Sequence, residues 1–135
     1  MADNFIDTAE RMNVSCKMLH GASQFHNAFY FAGYVVECYL KLLAYSGSRR
    51  SWGHDIIKMN EDLQYAVSSA ATSAIFRKYV LDIAADCPII HTNWNPVKRY
   101  EDKANHWDNI KSNLAQIEQE KCFEKIAEMV VDSFI

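Results

Sequence analysis

Apolar residues recur at helical spacing along nearly the whole chain. From Asn4 to His20, the residues Phe5, Ile6, Ala9, Met12, Cys16 and Leu19 fall at spacings of three and four, with Asp7, Glu10, Arg11 and Lys17 elsewhere. This predicts a first amphipathic helix that ends at Gly21, and Ser23 is an expected N-cap for the next element. A second helix follows from about Ser23 to Tyr45, with apolar residues around most of its circumference, as expected of a central helix touched on several sides. Gly33 inside it predicts a close approach by a neighbouring helix, since a mid-helix glycine otherwise costs about 1 kcal/mol against alanine. Ser46 to Gly53 reads as a loop, and Asp55 as a first-turn residue of a short, broken third helix. A further helix is expected from Ala70 to Ala85, stopped by Cys87-Pro88, with an irregular segment to about Pro96. The last helix carries Ile110, Leu114, Ile117, Phe123, Ile126, Val130 and Phe134 as its apolar stripe. Strand-like alternation is nearly absent, so the expected fold is all-α: an antiparallel bundle of four or five helices forming a single domain over residues 1–135.

Composition supports a packed chain. Of 135 residues, 50% are hydrophobic and 23% charged, with four Gly and two Pro, which excludes a disordered or linker-rich polypeptide. Lys and Arg number 14 against 17 Asp and Glu, a net charge of −3, which argues against coating nucleic acid by bulk attraction but leaves room for a local basic site. The cysteines, Cys16, Cys38, Cys87 and Cys122, form no CxxC pair, and the start carries no apolar signal, so the chain reads as cytoplasmic with reduced thiols. Phe25 to Tyr45 is interrupted by His26, Asn27, Glu37 and Lys41, which makes a poor membrane span.

The run Phe25-His-Asn-Ala-Phe-Tyr-Phe-Ala-Gly-Tyr-Val-Val-Glu-Cys-Tyr-Leu-Lys-Leu-Leu43, then Gly53-His-Asp-Ile56, then Trp94-Asn-Pro-Val-Lys-Arg-Tyr100, resembles the HEPN family (higher eukaryotes and prokaryotes nucleotide-binding) in motif, order and separation. The resemblance implies a HEPN-like helical bundle that forms a homodimer. It implies either a metal-independent endoribonuclease, of the kind found in toxin–antitoxin or defence systems, or a non-catalytic module that binds a nucleotide or a protein partner encoded nearby, such as an antitoxin or a small nucleotidyltransferase. Active members carry an Arg followed after four to six residues by a His: the Arg holds the scissile phosphate, and the His moves a proton as the ribose 2′-OH attacks. No cofactor is implied.

Two pairs here have that spacing. Arg99 and His106 lie late in the chain, where the family motif sits, and seven helical residues would return both to one face about 10 Å apart. Arg49 and His54 are the second choice, since five residues would set them about 140° apart on a helix. Tyr100 stands where active members often carry a small polar residue, and Glu101 and Asp102 bring negative charge that Lys98 and Lys103 offset. Arg49, Arg50, Lys98 and Lys103 are the candidate phosphate contacts. Glu37 and Lys41, four apart in a greasy helix, are expected to form a structural ion pair. The aromatics Phe29, Tyr30, Phe31, Tyr34 and Tyr39 exceed the need of one small core and are expected in part at a subunit interface. His54-Asp55 also permits a metal phosphohydrolase reading with His20 or His26 and Asp82 or Asp108, but the cysteines and histidines, His91 included, lack metal-ligand spacing, so no metal is expected.

Overall fold

Long-range hydrogen bonds and turn residues cut this chain into more helices than its apolar stripes predict. The computed structural model describes residues 2–47, 53–95 and 108–135. Seven helices and no strand occur among them: α1 (Ala2–Gly21), α2 (Phe25–Ser46), α3 (Ile56–Val67), α4 (Ala74–Tyr79), α5 (Ile83–Asp86), α6 (Pro88–Asn93) and α7 (Asn109–Val131). The all-α bundle is as expected, with two to three more helices than the four or five predicted.

The α1–α2 turn works differently from its prediction. Ser23 caps nothing; it takes a left-handed conformation, φ 61°, so that Gln24 N–H can close back on the Leu19 carbonyl at 2.8 Å. The chain then returns alongside itself, and Phe5 stacks on Tyr45 at the far end of the pair. α7 packs against α1 in the opposite sense, with Asn13 bonded to Gln119 and His20 to Ser112. Because α1 runs antiparallel to both, α2 and α7 run in the same direction, and the bundle is not antiparallel throughout. Helices α3 to α6 carry the chain back between them.

In that return segment the expected broken third helix is one unbroken 12-residue helix, with Asp55 as its N-cap, accepting from Lys58 N–H at 3.0 Å. The single helix expected from Ala70 to Ala85 is split at Val80, Leu81 and Asp82. Tertiary partners replace the missing helical bonds there: Tyr39 Oη accepts from Leu81 N–H, and Asn60 Oδ1 from Ile83 N–H. Pro88 begins α6 rather than an irregular stretch, being well suited to the first position of a helix.

The core draws on all seven helices, around Phe29, Tyr39, Leu40, Leu43, Leu63 and Ile90. Phe29, Tyr30 and Tyr39 are buried within the chain itself, and Phe31 and Tyr34 are half-buried and packed against the core. No helix among the described residues is long and apolar enough to cross a membrane.

Candidate functional site

Helix α2 carries a carboxylate in its buried face. Glu37 is 5% exposed, and a charge taken that far out of water needs partners. It has two. Lys41 Nζ lies 3.5 Å from Oε2, one turn along the same helix, and His54 Nδ1 lies 2.7 Å from Oε1. An ionised carboxylate only accepts, so His54 donates through Nδ1, which leaves Nε2 as the ring nitrogen available to a ligand.

Local sequence explains how His54 reaches α2. Gly53 adopts φ 61°, a conformation open to glycine, and Asp55 immediately after His54 fixes the start of α3. The imidazole is held between these two and meets the edge of Tyr34, whose hydroxyl shares a 2.9 Å hydrogen bond with Tyr30. Trp94 packs edge-on against Tyr34 and donates its indole N–H to the Tyr30 carbonyl at 2.8 Å. Behind Glu37, the Lys41 ammonium lies over the ring of Phe5.

The His54 side chain is itself 57% exposed and lines a cleft of about 410 Å³. One wall is the start of α3, from His54 to Ile57; the other is the end of α6 and its exit, with His91, Thr92, Trp94 and Asn95. A carboxylate-anchored imidazole at the mouth of a cleft is equipped to take or give a proton, and in its charged form to hold a phosphate oxygen.

Of the residues singled out from sequence, Glu37, Lys41 and His54 are brought together. The Glu37–Lys41 pair is present as expected, but its third member, His54, was not anticipated as its partner. The available signal was the coincidence of a glutamate in a greasy helix with a downstream Gly-His-Asp turn. The second wall of the cleft was missed because residues 88–96 were read as irregular, with no helix to place His91. Arg49 and Arg50, and Lys98, Arg99, Lys103 and His106, lie outside the described residues.

The metal phosphohydrolase set is not assembled. Asp55, Asp82 and Asp108 each cap a helix, His20 bonds to Ser112, and no group of three or more metal-ligating side chains occurs among the described residues.

No family model, curated protein or solved structure matches this chain. Its functional reading therefore rests on the geometry around His54 and on the motifs in the sequence.

Proposed function

We propose that this protein is a HEPN-type, metal-independent endoribonuclease that works as a homodimer, with His54 as a proton-transfer group in its cleft. The observation that carries this reading is the 2.7 Å bond between His54 and the buried Glu37, which orients an exposed imidazole toward solvent and ligand. In this reading Arg49, five residues before His54, supplies the phosphate contact, and Arg99 with His106 is the competing pair. His54 Nε2 takes the proton of a ribose 2′-OH, and the 2′-oxygen bonds to the adjacent phosphorus. The P–O bond to the 5′-oxygen breaks as that oxygen takes a proton from water and leaves as a hydroxyl, giving a 2′,3′-cyclic phosphate. Three exposed apolar residues on α7, Ile110, Leu114 and Ile117, support the homodimeric part of the proposal.

Labelled RNA incubated in EDTA with the purified protein tests the reading, with His54→Ala, Arg49→Ala, Arg99→Ala and His106→Ala compared with wild type. Cyclic-phosphate ends lost in His54→Ala and Arg49→Ala support the cleft. Loss confined to Arg99→Ala and His106→Ala moves the chemistry to the late pair. RNA left intact by the wild-type protein points to the non-catalytic alternative, a module for a nucleotide or for a partner protein such as an antitoxin or a nucleotidyltransferase.

A further inference from the structure

Two of the four cysteines touch each other. Cys87 Sγ lies 3.8 Å from Cys122 Sγ, with both side chains fully buried, and Cys87 also donates to the carbonyl of Glu118, one turn before Cys122 on α7. Cys16 differs: its thiol donates to the Asn13 carbonyl within its own helix. We propose that Cys87 and Cys122 form a peroxide-responsive dithiol, whose oxidation to a disulfide ties the α5–α6 elbow to α7.

The elbow makes this possible. Cys87 joins a four-residue helix to a six-residue helix, each far below the length at which a helix holds itself, so the elbow depends on tertiary contacts such as the bonds from Ile89 and Ile90 N–H to Glu118. Oxidation requires this elbow, with its short helices, to open locally before α2 or α7, which would admit a small oxidant to a pair that is buried when closed. Burial pushes the Cys122 thiol well up from its ordinary value, so in the closed protein it is held as the thiol. A disulfide needs its sulfurs about 2 Å apart, so the pair must close by roughly 2 Å, which side-chain rotation and a small shift of the elbow can supply.

The chemistry balances with hydrogen peroxide as oxidant. The Cys87 thiolate attacks the O–O bond, forming S–O and releasing hydroxide, and the sulfenic acid is then attacked by Cys122. The S–S bond forms, S–O breaks and water leaves. Overall, two thiols and one peroxide give one disulfide and two waters. Because α6 carries His91 and leads into Trp94, the bond would pin one wall of the cleft to α7, whatever that cleft binds.

The test is peroxide treatment of the intact protein, followed by alkylation of the unfolded chain and peptide mass mapping. The expected result is a Cys87–Cys122 cross-linked peptide lighter by two hydrogens, with Cys16 and Cys38 alkylated. The oxidised protein should also have a higher urea midpoint, an increase reversed by dithiothreitol and absent in Cys87→Ala. Four alkylated cysteines after treatment, a disulfide to Cys16 or Cys38, or a bond between two chains would each overturn the proposal. The wild-type peptide map decides even where a variant fails to fold.

Discussion

At the level of single residues, Gly33 is a position where one added methyl would meet a buried neighbour. A Cβ there would fall 2.1 Å from the indole of Trp94, which is buried and tied by its N–H to Tyr30. The glycine was legible in the sequence as a close-approach position; that the neighbour is a side chain from the end of α6, and not a helix backbone, was not. Gly33→Ala should cost about 1–3 kcal/mol in urea unfolding, by forcing Trp94 out of its seat. Because alanine gains about 1 kcal/mol of helix propensity over glycine, a midpoint raised by that amount would show that the indole does not sit there. Glu37 is the second such residue. Glu37→Ala leaves Lys41, whose side chain is 13% exposed, without its anion and should cost on the order of 3 kcal/mol. Glu37→Gln keeps an acceptor for His54 and should lose less, so the order of the two midpoints checks whether charge or shape is the larger contribution.

At the level of elements, the sequence foretold α7 and part of its inner face, since Ile126 is buried and Phe123 and Phe134 pack against the core, but it misplaced the first half of the helix. Ile110, Leu114, Ile117 and Val130 are exposed, while the buried side carries Ser112, Ala115, Glu118, Gln119, Cys122, Ile126 and Met129. Apolar periodicity could not find the first half of that face because Ser112, Ala115, Glu118 and Gln119 are small, or polar with partners supplied from elsewhere. Ser112 bonds to His20 and Gln119 to Asn13, while Glu118 accepts from the N–H groups of Ile89 and Ile90 and so caps an α6 whose own N-cap side chain makes no such bond. The small residues let α1 and α6 come close; the hydrogen bonds make polar burial tolerable. At protein concentrations where the chain is monomeric, Ile110→Ser and Ile117→Ser should each change stability by less than about 0.5 kcal/mol. Ala115→Leu should cost about 1–3 kcal/mol by overfilling the α7 interface. Urea midpoints that reversed this order would restore the face that the apolar stripe suggested.

For the molecule as a whole, helical content was readable from periodicity, but direction was not. No local pattern reports that α2 and α7 run the same way, or that hydrogen bonds from Tyr39 and Asn60 divide α4 from α5. Two carboxylates on α7 and just beyond it register that assembly, and they respond to acid in opposite senses. Asp132 accepts from the Tyr79 hydroxyl and the Lys78 ammonium of α4, which holds its carboxyl below the ordinary 3.8. Its contribution to stability is complete above 3.8 and is lost as pH falls through the lower value of the folded state. Glu118 is shifted the other way, raised above 4.5 because burial outweighs the two N–H donors of α6. Its contribution is complete below 4.5 and is lost as pH rises through the folded value, so its ionised form works against the fold. Lowering the pH from 7 toward 4.5 should therefore release a Glu118 penalty before the Asp132 clasp opens at lower pH. Denaturant midpoints measured across pH 2–7 should show the first limb flattened in Glu118→Gln and the second in Asp132→Asn. A Glu118→Gln curve parallel to wild type would mean that the carboxylate is not buried at the start of α6, and α6 would then lack the cap that joins it to α7.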